Sequence, residues 1–113
     1  MEWNKAGEEV TRAYDGLAAA TAEAYRVGED LIEVTAKLET AKLAGLRDGS
    51  IDGKNVELRE AAARAILVDL YTAQAEAERA NRAAQFNLAQ ARIGVEWMRA
   101  LLRLREVLKG ADE

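Results

Sequence analysis

The sequence predicts an all-α protein: a long antiparallel helical hairpin, or two-helix coiled coil, that dimerises into a four-helix bundle. Three observations predict this class. Apolar or small residues recur at spacings of three and four from Trp3 to Gly45. The chain contains no proline, so no residue forces a helix to end. One short segment rich in aspartate and glycine, residues 47–55, separates two long stretches of helical pattern.

The first helix is predicted over about residues 4–47. Its main seam never meets a polar residue, and a seam that repeats every 3.5 residues needs a second helix to cover it. A second line on this helix contains Tyr14, Tyr25 and Ile32, which exceeds what one partner helix can cover. The main seam consists of Trp3, Ala6, Val10, Ala13, Leu17, Ala20, Ala24, Val27, Leu31, Val34, Leu38, Ala41 and Gly45.

The turn is predicted over residues 48–54. Gly49 is a suitable helix C-terminal stop, and Asn55 is a suitable N-cap with Glu57 in the first turn of the next helix. A connection this short makes the two helices antiparallel neighbours. Folding about a centre near residue 50 places residue i beside about residue 101 − i. The apolar residues 100–108 then have no part of the first helix opposite them and form an overhang.

The second helix is predicted as one element over about residues 55–109. A second apolar line is expected beside its seam. The predicted seam consists of Ile66, Leu70, Ala73, Ala77, Ala80, Ala84, Leu88, Ala91, Val95, Met98 and Leu102. The second line consists of Phe86, Ala89, Ile93, Trp97, Ala100, Leu104 and Val107.

Two apolar lines on each helix predict that the chain, a single domain over residues 1–113, is a homodimer. Both seams are rich in alanine, which buries little area, so association should supply stability that one hairpin lacks. Another protein is a further predicted partner. The predicted interface residues are Tyr14, Tyr25, Ile32, Phe86, Ile93, Trp97, Leu101 and Leu104.

Composition limits the chemistry. The chain lacks histidine and cysteine, so the commonest general base, the commonest transition-metal ligand and thiolate chemistry are all missing. We therefore predict that the protein is not an enzyme and has no catalytic residue, metal or cofactor. No window approaches the roughly 20 apolar residues of a membrane helix, and the N-terminal residues lack a signal-peptide pattern. A cytoplasmic protein with no membrane partner is expected.

One alternative is a magnesium-dependent nucleotide hydrolase. The chain is similar to all-helical nucleotide pyrophosphohydrolases in helicity and acid content, and that family holds magnesium with carboxylates on neighbouring helices. Two of the acids, Glu29 and Glu33, fall away from the main seam, which favours a solvated charged face over a metal site. The acids in question are Glu29, Asp30, Glu33, Glu57, Glu60 and Asp69.

A second alternative is a nucleic-acid accessory factor that uses Arg92, Arg99 and Arg103, which share one helix face. The net charge of −4 argues against general nucleic-acid binding. Pairing of these arginines with Glu96 and with the acidic first helix is the simpler interpretation, and Trp97 lies in an apolar line, so no stacking platform is evident.

Residues 52–61, with the pattern D-G-K-N-x-E-x-R-x-A, also make physical sense as a turn followed by a helix start. The pattern resembles small helical proteins of bacteriophages and prophages. The resemblance implies a phage-encoded accessory protein of the host bacterial cytoplasm, near replication or recombination functions, and it implies no catalytic residue. The extended apolar seams lead us to predict a non-enzymatic interaction or assembly protein.

Overall fold

This computed structural model describes the backbone of residues 2–111 and the side chains of residues 5–111. The described residues form three helices and no strand: α1 (Glu2–Asp48), α2 (Val56–Ile66) and α3 (Val68–Ala111). The predicted all-α class is confirmed. Two compact units divide the chain, one formed by Met1–Tyr25 with Ala83–Glu113 and the other by Arg26–Arg82. We call them the terminal unit and the turn unit.

α1 ends directly before Gly49, where the sequence predicts a helix stop. Gly49 follows the last helical residue with φ of +81°, a conformation that glycine adopts without steric cost. The Asp48 carboxylate accepts from the Ser50 N–H at 2.8 Å, and Ile51 donates to the Gly45 carbonyl at 3.0 Å. Ile51 thereby folds over Gly45, where an added Cβ would lie 2.5 Å from the Ile51 side chain.

The start of α2 also matches expectation, because the Asn55 side chain accepts from the Leu58 N–H at 2.8 Å as an N-cap. The single second helix that we predicted is wrong, however. It is interrupted at Leu67, whose φ and ψ of −105° and 34° are not helical. Leu67 still donates to the Ala63 carbonyl, and its own carbonyl accepts from Tyr71, so the interruption is one residue long.

In the turn unit, α1 runs antiparallel to α2 and α3. Gln74 donates to Thr35 at 3.4 Å, and Asn81 is the neighbour that a side chain at Gly28 would meet. Every seam residue of α1 whose side chain is described is buried or half-buried, as predicted; Trp3 lies outside those residues. The buried apolar side chains of this unit are Val27, Leu38, Ile51 and Ala63.

In the terminal unit, α1 and the second half of α3 are also antiparallel. Tyr14 contacts Arg99, and Lys5 lines one cavity with Arg105, so partner numbers sum to about 110 rather than the expected 101. Residues near 105 therefore do have α1 opposite them, and the predicted overhang is wrong. The segment between α1 and α2, residues 49–55, is as long as the predicted turn, but its centre lies later in the chain than residue 50, which moves the pairing toward the end of α3.

The predicted seam of the second helix is wrong at Ile66 and Ala80, and Gln74 replaces Ala73, which is also half-buried, in the observed seam. Ile66 and Ala80 are exposed, whereas Leu67 and Asn81 are partly covered. The observed seam keeps alternate spacings of three and four only because it accepts two polar side chains. It consists of Leu67, Leu70, Gln74, Ala77, Asn81, Ala84, Leu88, Ala91, Val95, Met98 and Leu102.

Within the described part of the chain, no helix has a stretch that is both long and apolar enough to span a bilayer.

Candidate functional site

The most prominent surface feature is a line of large apolar side chains on α3 that the fold does not bury. These side chains are between 46% and 65% exposed. All of them belong to the terminal unit and to a single helix. We call this line the α3 outer strip; it consists of Phe86, Ile93, Trp97, Leu101, Leu104 and Leu108.

The strip is exposed because it lies on the side of α3 that faces away from α1. At 3.6 residues per turn, its centre is about 140° around the helix from the centre of the seam that runs from Ala84 to Leu102. We expected the second line to run beside the seam, and that expectation is wrong. The C-terminal half of α3 is therefore apolar on two nearly opposite sides, of which α1 covers one.

The outer strip is straight along the helix because five of its six members recur every eleven residues. Phe86, Trp97 and Leu108 form one such series, and Ile93 and Leu104 form another. Eleven residues make almost exactly three α-helical turns, so these side chains stay in one line instead of winding around the helix. A straight partner helix could follow this line along its length.

The size of the strip is unusual for a free surface. From the exposed fractions and a full area of about 200 Å² for a large apolar side chain, the strip exposes on the order of 650 Å². The largest apolar patch of a typical monomer is about 300–600 Å², and a standard protein interface buries about 800 Å² per partner. The strip is thus of the size that a protein interface needs.

The border of the strip carries both charges. Glu96 and Arg103 border one side and Arg105 borders the other, as the 100° step between helical residues places them. Neither Glu96 nor Arg103 has an ion pair within 4 Å in the part of the chain that the structure describes. Small residues, Ala89 and Ala100, lie between these charges and the apolar line.

The predicted interface residues of α1 fall in both units. Tyr25 is 72% exposed in the terminal unit, and the exposed Ile32 belongs to the turn unit. Tyr14 is in the terminal unit but is already engaged, because its hydroxyl accepts from Arg99 Nε at 2.9 Å and its ring lies 5.7 Å from the guanidinium carbon. The structure therefore brings together only the five predicted residues of α3, to which it adds Leu108.

The predicted nucleic-acid residues Arg92, Arg99 and Arg103 are all exposed on one side of α3. Arg99 is held against Tyr14, and Glu96 lies among the three arginines on the same side of the helix. With one arginine engaged and a carboxylate among the three, this side of α3 forms a weaker phosphate site than the sequence alone suggests.

A second polar arrangement joins all three helices in the turn unit. Tyr71 of α3 donates to Glu60 of α2 at 2.7 Å, across the interruption at Leu67. Lys42 of α1 lies 3.3 Å from the same carboxylate. The guanidinium carbon of Arg64 lies 4.8 Å from the centre of the Tyr71 ring. We call these four residues the polar junction.

The pKa values in the junction reflect mutual stabilisation. The pKa of Glu60 is lowered, first by the hydrogen bond from Tyr71 and then by that from Lys42. Desolvation is the largest cause that raises the pKa of Tyr71, and the hydrogen bond with Tyr71 is the largest that raises the pKa of Lys42. At neutral pH, Glu60 and Lys42 are charged and Tyr71 keeps its proton, so each partner's charge state suits the contacts it makes.

The carboxylates of the magnesium alternative do not converge. Asp30 is paired with Arg26, Glu33 is paired with Lys37, and Glu60 belongs to the junction. Among the described residues, no three carboxylates are grouped as a cation would require. Next to the junction is a cavity of about 170 Å³, lined by Lys42, Leu46, Ile51, Val56, Arg59, Glu60 and Ala63.

Sequence reasoning missed the polar junction and the polar seam positions. Lys42, Thr35, Gly28, Thr21 and Tyr14 follow one another at intervals of seven beside the α1 seam. Four of them contact α2 or α3, so this interval was the available signal. A search for apolar periodicity passes over such a line.

Comparison with known proteins gives no relative, because no family model, curated protein or solved structure matches this chain. The resemblance of residues 52–61 to phage proteins stays a prediction. In the structure these residues have local roles, such as the hydrogen bond from Gly53 to Asp52 and the Asn55 cap.

Proposed function

We propose that the protein is a non-enzymatic assembly module that associates with a second copy of itself through the α3 outer strip. The observation that carries the proposal is a straight apolar line of interface size on the side of α3 that α1 leaves open. A second copy is the favoured occupant because it presents an equally long line. Two such lines bury each other in an isologous contact of about standard interface size.

The position of the strip also favours one arrangement of the dimer. In a closed four-helix bundle, each helix contacts two neighbours that lie about 90° apart around its axis. The seam and outer strip of α3 are about 140° apart, so the terminal units would place α1, α3, the partner α3 and the partner α1 side by side in a layer. In the proposed dimer, the two terminal units form a layer of four helices, with the two α3 helices inside.

The experiment that tests the proposal is sedimentation velocity over a range of protein concentrations, with a Leu104→Glu variant beside the unchanged chain. We expect the unchanged protein to be a dimer at micromolar concentration, because the two strips together bury an area within the range of specific protein interfaces. The variant places a carboxylate in the middle of the buried line, and we expect it to be a folded monomer.

Leu43→Glu is the matched control. Leu43 is 55% exposed and Leu104 is 54% exposed, but Leu43 lies on α1 in the turn unit, outside the strip. The control should remain dimeric. A monomeric unchanged protein at about 100 μM, or equal loss of association in both variants, would contradict the proposal.

A further inference from the structure

The outer strip has a property that defines how two copies meet, and this inference rests on the proposed self-association. The central part of the strip nearly reproduces itself when the helix is reversed about a point near residue 99. Trp97 then faces Leu101 of a second copy, and Ile93 meets Leu104 to within one residue. Leu108 faces Gln90, a polar residue outside the strip. A line that maps onto itself under reversal suits a two-fold axis perpendicular to the helix.

The charged border points to the same arrangement. In an antiparallel pair, the border that carries Glu96 and Arg103 in one copy faces the same border of the other copy. Glu96 of each copy therefore lies opposite Arg103 of the other. Two equivalent ion pairs form around the axis. Among the residues that the structure describes, these two side chains make no ion pair, so both are available to a second copy.

A parallel pair would instead bring like charges together. In a parallel pair, the border of one copy faces the opposite border of the other copy at the same level along the helix axis. Arg105 of one copy would then lie beside Arg103 of the other. This like-charge contact would occur twice and would oppose association. Parallel α3 helices would also align their dipoles, whereas antiparallel helices oppose them.

The size of the residue near the proposed axis is consistent with close approach. Ala100 lies on the border of the strip next to the point of reversal, between Glu96 and Arg103. A small side chain there lets two helices approach without displacing the larger residues on either side. We propose that the α3 helices of two copies pack antiparallel, with the axis near Ala100 and reciprocal Glu96–Arg103 ion pairs.

Disulfide trapping tests the orientation, and the absence of native cysteine makes single-cysteine variants unambiguous. The variants Q90C and L108C are equilibrated in glutathione buffer, separately and as a mixture. An antiparallel pair should give the mixed Q90C–L108C disulfide at least about tenfold above either symmetric disulfide, since only the mixed pair is held close. Dominant symmetric disulfides would show a parallel pair and overturn the inference.

Charge exchange gives an independent measurement. The E96R and R103E variants should each raise the dimer dissociation constant about tenfold, because each change places like charges together twice. The double variant E96R/R103E should return it to within about threefold of the unchanged protein. A double variant that is as weak as the two changes combined would overturn the reciprocal pairing.

Failure of this inference differs from failure of the proposed function. If sedimentation shows a dimer while the symmetric disulfides dominate, self-association stands and the antiparallel orientation is wrong. If sedimentation shows only monomer, and the mixed disulfide forms no more readily than with a control L43C partner, the self-association itself is wrong.

Discussion

The two units use the same helical hairpin pattern for different purposes. In the turn unit, polar side chains cross between helices: Gln74 bonds to Thr35, and Glu60 bonds to both Lys42 and Tyr71. In the terminal unit, Arg99 of α3 donates a hydrogen bond to Tyr14 of α1, and the large apolar strip of α3 is left uncovered. The first arrangement fixes how helices align within one chain, and the second leaves surface for another molecule.

This difference has a physical reason. A polar residue in a helical seam costs stability, but it disfavours every alignment that leaves it without a partner, so it specifies one register. Gln74 and Asn81 hold seam positions in the turn unit, while the seam of the terminal unit is apolar from Ala84 to Leu102. The turn unit therefore sets the alignment of α1 with α3.

The largest expected effect is the difference in the free energy of unfolding between truncating a buried and an exposed leucine of α1. Leu38 in the turn unit is 2% exposed, and Leu38→Ala should lower the free energy of unfolding by about 3 kcal/mol through lost burial and a cavity. Leu43→Ala, on the same helix but exposed, should change it by no more than about 0.5 kcal/mol. Urea denaturation followed by circular dichroism measures both; equal losses would show that the α1 seam is wrongly placed.

The polar junction should show its own, smaller effect. Tyr71→Phe removes the hydrogen bond to Glu60 while keeping the ring, and it should cost about 1 kcal/mol in the same urea measurement. Tyr25→Phe is the control, because Tyr25 is exposed. If both variants unfold at the same urea concentration as the unchanged protein, the junction does not hold the three helices together.

The junction also predicts a pH dependence with a definite sign. The pKa of Glu60 is lowered from its ordinary 4.5, so its stabilising contribution is present above that pH and is lost as pH falls through the lowered value. The pKa values of Tyr71 and Lys42 are raised, so their contributions are present below about pH 10 and are lost at higher pH. The stability difference between the unchanged protein and Glu60→Gln should shrink from about pH 7 to about pH 3. An unchanged difference across that range would contradict the assigned role of Glu60.

Much of the fold could be predicted from the sequence because its determinants are local and periodic. The α1 seam, the stop at Gly49 and the Asn55 cap each follow from one residue type at one spacing. The interruption at Leu67 could not be predicted in this way, because no proline or glycine marks it. It coincides with contacts between distant residues, such as Tyr71 with Glu60, which a helical pattern does not reveal.

The candidate site was predicted in part for the same reason. Exposed apolar periodicity identified Phe86, Ile93, Trp97, Leu101 and Leu104. Their placement nearly opposite the seam follows from the 100° step between helical residues, because the predicted and observed seams are the same from Ala84 to Leu102. The seam before Ala84 could not be predicted from apolar periodicity, because polar Asn81 lies in the seam where Ala80 was expected.

The smallest expected effect compares two helical glycines of the terminal unit. A Cβ at Gly16 or Gly94 would meet no atom within 4 Å, so Gly→Ala at either site should raise the free energy of unfolding of the monomer by about 0.5–1 kcal/mol. Gly94 lies at the border of the α3 outer strip, whereas Gly16 lies on α1. If two α3 helices pack on each other, Gly94→Ala should also change the dimer dissociation constant, and Gly16→Ala should not. Thermal unfolding at low concentration and sedimentation at high concentration separate the two effects, and identical sedimentation of both variants would place the interface away from this border of α3.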